Sequence, residues 1–201
     1  MLTVVIPAYN EAERIKEVIA EVRSFADEVL VIDDGSEDDT IEASHKAGAE
    51  VLTQKHKGYI HALKYGLQSA RGNIIVTIDA DGEHDPSNIP GIVAPIQRGE
   101  ADLVLGSREC IPVSEQVIKY VVRLRAAVHD HGTGFRAMTK ELAQDLPLRG
   151  KCTCGTLVLE AVSRGARIIE VPIRIRETKK KKKRRWIHMI QIIYVLFEIF
   201  L

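Results

Sequence analysis

Apolar residues fall into short runs rich in Val and Ile: "LTVVIP" (2–7), "EVLVID" (28–33), "AEVLT" (49–53), "NIIVTID" (73–79) and "DLVLG" (102–106). Their length and lack of alternation predict strands with both faces buried. Segments with helical spacing separate them. "EAERIKEVIAEVRSFA" puts Ile15, Val18, Ile19 and Val22 on one face. "SEDDTIEASHKAG" opens on a Ser cap, carries acids in its first turn and ends in Gly. "YIHALKYGLQSARG" also closes on Gly. These start and stop signals fit helices. Alternating strand and helix predicts a mostly parallel α/β sheet with helices on both faces. No internal repeat breaks the pattern.

Composition changes this picture little. The 201 residues are 45% hydrophobic and 28% charged, which fits one globular domain plus an appendage. Three cysteines, Cys110, Cys152 and Cys154, are too few and too irregular for a disulfide framework, so a reducing compartment is expected. The C-x-C pair lacks the companions a zinc site needs. The N-terminus passes at once from a short apolar run to acids, which does not read as a secretory signal.

Charge is more informative. The 28 Lys and Arg balance 28 Asp and Glu, but seven of the cations form one run, "KKKKKRR" (179–185), and only one acid, Glu198, follows it. Residues 1–178 therefore carry 21 cations against 27 acids. An acidic body (1–178) is joined to a basic collar and an apolar tail (179–201).

In open parallel sheets, ligands bind beyond the carboxyl ends of the strands. The first, second, fourth and fifth predicted strands end in "PAYNEAE", "DDGSEDD", "DADGEHDP" and "GSREC". Three of these ends are acidic and the last supplies Arg108. In "TIDADGEHDP", Asp79, Asp81, Glu83 and Asp85 alternate, so an extended chain would line four carboxylates on one face. A hard divalent cation makes such crowding tolerable, because Mg²⁺ takes one or two carboxylates and leaves its other positions to water and phosphates. Asp79 or Asp81, with Glu83 nearby, would hold a metal that also grips a diphosphate. Asp-Pro at 85–86 marks the turn into the next helix.

Taken in order, "VVIPAYNEAERI", "VLVIDDGSEDDT", "HKGYIHALKYGLQSARGNIIVTIDADGEHDP", "GSR", "TGFRAM" and "RIIEVPIRIRE" resemble glycosyltransferase family 2 over residues 2–178. Within it the likeness is strongest to the dolichyl- or polyprenyl-phosphate mannose and glucose synthases. The resemblance implies a GT-A fold and an inverting hexosyltransferase. The donor would be a nucleotide-diphosphate sugar and the cofactor Mg²⁺ or Mn²⁺. By the same resemblance, Pro7, Tyr9, Glu11 and Asp34 line the nucleoside. Asp79 meets the nucleotide sugar, Asp79, Asp81 and Glu83 serve the metal, and Arg108 meets an acceptor phosphate. Glu83 stands where the family often has Gln.

The acceptor decides what else is needed. A sugar hydroxyl needs a general base, and Asp130, the acid that the resemblance places before "TGFR", is the candidate. A lipid monophosphate is largely ionised near pH 7, since its second pKa is ~6. It then needs cations, which Arg108 with Arg123 or Arg125 would supply. The stretch between "GSR" and Asp130 is shorter than is common in the polyprenyl branch, and Cys154 and Thr156 stand where the family often has acids. Transfer to a glycan or lipid hydroxyl is the alternative, and an inactive nucleotide-sugar-binding partner is a further one.

The tail points to a membrane. The 16 residues 186–201 would rise ~24 Å as a helix, short of a ~30 Å hydrocarbon core, and Gln191 and Glu198 interrupt them. An interfacial C-terminal helix on an anionic surface, or a contact with a membrane-subunit partner, fits better than a span, with Trp186 and the lysines at the headgroup level. A docked core helix behind a solvated charge run is the plainer reading. The expected location is the cytoplasmic face of the membrane. The acidic body argues against nucleic acid as a partner.

Overall fold

The computed structural model describes residues 1–109, 113–176, 191–192 and 194–196. Seven strands form one sheet: β1 (Leu2–Ala8), β2 (Glu28–Asp33), β3 (Glu50–Thr53), β4 (Ile74–Thr77), β5 (Leu103–Ser107), β6 (Arg136–Thr139) and β7 (Ile168–Pro172). Their order is β3-β2-β1-β4-β6-β5-β7. All pairings are parallel except those of β6, which runs antiparallel between β4 and β5.

The expected strands are present, with shifted ends. The fourth stops at Thr77, so Asp79 lies in a loop and not on a strand face. β6 and β7 had not been read as strands from the hydrophobic pattern. β6 is four residues with Arg136 at its head, too short and too polar to show a period.

Alternate residues feed two apolar layers, as strands buried on both faces require. Val5, Leu30, Ile32, Ile75, Leu105 and Met138 meet α3 (Tyr59–Ser69), α5 (Val113–Val122), α6 (Lys140–Asp145) and α7 (Thr156–Ser163). Val4, Ile6, Val31, Val76, Val104 and Ala137 meet α1 (Ile15–Val22) and α4 (Ile89–Gln97). The apolar face predicted for α1 is the observed one: Ile15, Val18, Ile19 and Val22 are all buried.

Two helix signals act differently from expectation. α2 (Thr40–Lys46) starts four residues after Ser36, whose Oγ instead accepts the Asn10 N–H at 2.9 Å. Gly48 does close α2, at φ +85°. Gly72 does not close α3; it lets the chain pass against Thr3, whose backbone nitrogen would lie 2.7 Å from an added Cβ.

The collar, Trp186, Cys110 and most of the apolar tail lie outside the described residues. The described tail residues dock on the body. Gln191 is fully buried; its Oε1 accepts the N–H groups of Lys151 (3.1 Å) and Cys152 (3.2 Å), and its amide donates to Thr156 Oγ1 (3.1 Å). Val195 joins the core layer containing Ile118 and Val122. The polar residue that interrupts the tail's apolar run is thus the one that satisfies a loop of the body. No helix among the described residues is long and apolar enough to cross a membrane.

At Gly66 in α3, an added Cβ would stand 2.4 Å from Val5 and 2.9 Å from Ile32. The helix therefore rests directly on the sheet there. Gly66→Val should lower stability by about 1–3 kcal/mol through overpacking, read as a shift in urea midpoint with unchanged slope.

Candidate active site

The carboxyl ends of β1 and β2 form one wall. Pro7 is buried in β1 opposite Ile32. Tyr9, just past the strand, stacks on His56 with ring centroids 4.3 Å apart and is 39% exposed. Asn10 adopts φ +53°, and its Oδ1 accepts the Glu37 N–H at 2.8 Å. The Glu11 N–H donates to Thr40 Oγ1 (2.9 Å) and its carboxylate lies 3.9 Å from Arg14. Asp33 and Asp34 end β2, both buried. Asp33 Oδ2 accepts the N–H groups of Gly35 and Ser36, closing the turn. Asp34 gathers the loop after β3: it accepts from Gln54 Nε2 (2.6 Å), Lys57 N (2.9 Å) and Gly58 N (2.8 Å), and lies 2.8 Å from His56 Nδ1. Tyr9, Asp34 and His56 are thereby brought together; sequence alone gave His56 no role.

The acidic segment after β4 is not extended but turns. Gly82, at φ +72°, turns the chain. Asp79 stays partly open, accepts from the Tyr59 hydroxyl at 3.2 Å and lies 3.8 Å from His84 Nε2. Asp81 accepts the Glu83 N–H at 3.0 Å. Glu83 is buried. Asp85 caps the turn over Pro86–Asn88 through the Ser87 N–H, as Asp-Pro predicted.

The chain after β7 straps this loop down. The Arg176 N–H donates to the Glu83 carbonyl (2.7 Å), Ile175 bridges to His84, and the Arg176 guanidinium reaches Glu21 on α1 (2.8 Å) and Asp85 (3.0 Å). A cleft of ≈ 240 Å³ opens between α1 and the loop, lined by Glu17, Glu21, Asp81, His84 and Arg176 among others.

Charge on this loop is unevenly compensated. The Ser87 N–H, with Arg176 and against slight burial, holds Asp85 below the usual carboxylate range. Asp81 moves the other way: burial, then the neighbouring Asp79 charge, push its carboxyl up despite the Glu83 N–H. A bound cation would relieve that excess. Among the described residues no three His, Cys, Asp or Glu side chains converge into a metal cage. Asp79, Asp81 and Glu83 do not close into such a cage, although the charges of Asp79 and Glu83 both act on Asp81. The donors that remain, Asp79 and Asp81, fit a Mg²⁺- or Mn²⁺-like ion that keeps most of its sphere for water and phosphate.

On the other wall, β5 delivers Arg108. Arg108 and Asp130 form a buried bidentate pair: Nε to Oδ2 at 2.6 Å, Nη2 to Oδ1 at 2.8 Å, with the Arg108 N–H adding 3.0 Å to Oδ2. Glu170 on β7 accepts the N–H groups of His129 and Asp130, both at 2.7 Å, and so fixes the loop. Burial pushes the Asp130 carboxyl up, but the Arg108 bonds and charge, with the Arg108 and Gly132 N–H groups, outweigh it and hold it below the usual range. Asp130 is 0% exposed. Its carboxylate anchors Arg108 and is buried in that pairing.

Beside the pair is a cleft of ≈ 310 Å³ lined by Glu109, Gln116, Lys119, Tyr120, Arg123 and His129. Lys119 Nζ lies 3.0 Å from His129 Nδ1. Arg123 and Arg125 are both exposed, and of the two only Arg123 lines this cleft. Glu160 is committed elsewhere, accepting the N–H groups of Leu148 and Arg149. Cys152 is half-buried and Cys154 buried, neither in a disulfide. Tyr59, Glu170 and Arg176 act on site residues but carry no sequence signal of their own, since their partners lie 20 or more positions away or are backbone groups.

A seven-stranded, mostly parallel sheet flanked by helices, with acidic loops at its carboxyl ends, defines a GT-A nucleotide-sugar transferase fold. The signature of Glycosyl transferase family 2 matches residues 3–164, and the chain belongs to that family. It is 31% identical over 197 residues to the dolichyl-phosphate hexose transferase of Haloferax volcanii, covering 90% of this chain and 86% of that one. It is 28% identical over 228 residues to the dolichol-phosphate mannosyltransferase of Pyrococcus furiosus, covering 98% of this chain and 64% of that one. Among solved structures it is similar to glucosyl-3-phosphoglycerate synthase from Mycobacterium tuberculosis in complex with Mn²⁺, UDP-glucose and phosphoglyceric acid. There the TM-score is 0.86 at 26% identity, covering 98% of this chain and 79% of that one.

Asp130→Asn should cost about 3–5 kcal/mol at pH 7, because it strips the buried Arg108 of its counter-charge. The folded-state pKa of Asp130 lies below its unfolded value of ~3.9, so its stabilisation is present above that pH and fades as pH falls through the lower value. Urea unfolding of both proteins should show a wide gap at pH 7 that narrows below pH ~4. An equal gap at all pH values would mean the pair is not ionic.

Proposed function

We propose that this glycosyltransferase moves a hexose, mannose or glucose, from a nucleotide-diphosphate sugar to a polyprenyl (dolichyl) phosphate. The observation that carries this reading is the acceptor side. The one acid expected to serve as a base, Asp130, is buried in an ion pair, while Lys119, Arg123 and His129 line the open cleft next to it. A phosphate acceptor brings its own ionised nucleophile and asks only for cations. A hydroxyl acceptor would ask for the base this arrangement withholds.

On the donor side, Tyr9 and the Asp34 loop receive the nucleoside, with Pro7 and Glu11 shaping the same wall. Asp79 and Asp81 hold a divalent cation, Mg²⁺ or Mn²⁺, whose charge offsets that developing on the departing nucleoside diphosphate. Arg108, fixed by Asp130, faces the acceptor half with Arg123. Manganese and UDP-glucose in the structural neighbour, and the dolichyl-phosphate chemistry named for the relatives, support this assignment.

A membrane surface follows from the acceptor, since a polyprenyl chain is presented there. The collar of seven cations at 179–185 would add ~1 kcal/mol each on an anionic leaflet. This makes residues 1–178 the catalytic body and 179–201 a membrane-proximal segment on the cytoplasmic face. A second reading has a specific support: the neighbour binds phosphoglyceric acid, so a small phosphorylated acceptor fits the same cationic cleft.

Purified protein incubated with Mn²⁺, labelled GDP- and UDP-hexoses, and either polyprenyl phosphate or 3-phosphoglycerate separates the readings. Lipid-extractable label is the expected result. Label only on the small acceptor favours the second reading, and donor binding without transfer to any acceptor would leave a nucleotide-sugar-binding partner. Asp81→Ala should cut metal-dependent turnover by ~10²-fold or more, given the several kcal/mol a metal contributes, without loss of helical circular dichroism.

A further inference from the structure

Arg136 is fully buried at the head of β6, opposite Thr77 of β4 and Leu105 of β5. Its Nη2 donates to Thr153 Oγ1 at 2.6 Å, while Nε and Nη1 have no hydrogen-bond partner. Among the described residues it forms no ion pair with a carboxylate. A buried guanidinium held in this way is costly unless an opposite charge lies within reach.

The nearest route to one runs through Tyr59. Its hydroxyl faces both the Arg136 guanidinium and Asp79, and it donates to Asp79 Oδ1 at 3.2 Å. Gly134, two residues before Arg136, touches the same carboxylate. A Cβ there would stand 2.1 Å from Asp79 Oδ2, and the Gly134 carbonyl is pinned by Thr77 Oγ1 at 2.9 Å. One short strand head therefore meets Asp79 twice, once by backbone and once through Tyr59.

We infer that Gly134, Tyr59 and Arg136 are positioning residues for Asp79: Gly134 sets how closely the carboxylate approaches β6, Tyr59 fixes its orientation, and Arg136, held by Thr153, steadies the Tyr59 hydroxyl. The inference rests on the proposal that Asp79 and Asp81 hold the cation. It gives the "TGFR" segment a task on the donor side, although its neighbour Asp130 belongs to the acceptor side.

The test is Mn²⁺ binding by the full chain without substrate, read from loss of the free-ion electron paramagnetic resonance signal. Tyr59→Phe and Arg136→Met should each weaken Mn²⁺ binding by ~10–100-fold, the usual effect of losing a group that orients a metal ligand. Arg136→Lys, which keeps the charge, should recover most of it. Thermal melts monitor folding; should Arg136→Met not fold, Tyr59→Phe, which deletes one oxygen, carries the test. Wild-type Mn²⁺ affinity in Tyr59→Phe, with binding lost in Asp79→Asn, overturns the inference and leaves the metal assignment standing. Wild-type affinity in Asp79→Asn overturns the metal assignment and the inference with it.

Discussion

Carboxylates gathered at the carboxyl ends of parallel strands repel one another, and each must find a compensating group. The protein solves this differently at each end. Asp33 and Asp34 are met by backbone N–H groups and by His56 and Gln54, so their charge organises two loops. Asp85 is met by the Ser87 N–H and Arg176. Asp81 is pushed up, by burial and by Asp79. Charge is thus settled wherever the chain needs a fixed loop and left in excess where a cation would bind.

The same principle separates the two halves of the cleft. One wall is built from local loops after β1, β2 and β4, braced by the Arg176 strap. The other depends on one long-range ion pair, Arg108 with Asp130, and on Glu170 from a third strand. β6 joins them. Because it runs antiparallel, its first residues arrive at the carboxyl ends of β4 and β5, where Gly134 and Arg136 approach Asp79 while Asp130 reaches Arg108.

Most of the fold was legible in the sequence because its strands are long apolar runs and its helices carry clear faces. β6 and β7 were not, since four or five residues under mixed burial show no period. The acidic loop was found by composition, but its shape was misjudged: alternation implied one face, and Gly82 with the Arg176 strap imposes another arrangement. That Glu83 is buried was likewise not legible in the sequence. The pairing of Asp130 with Arg108, 22 positions earlier, was likewise not visible. Partners separated by whole elements become visible only once the sheet order is known. The C-terminal run was ambiguous for a related reason: Gln191 reads as a flaw in a membrane helix until its loop partners appear.

The Arg108–Asp130 pair also fastens together the two ends of the excursion that leaves β5 and returns to β6. Among the described residues between them, α5 packs Ile118 and Val122 into the same apolar layer as α7 and lines the neighbouring cleft with Gln116, Lys119 and Tyr120. Breaking that one buried pair would therefore loosen a core helix together with the cleft wall it provides.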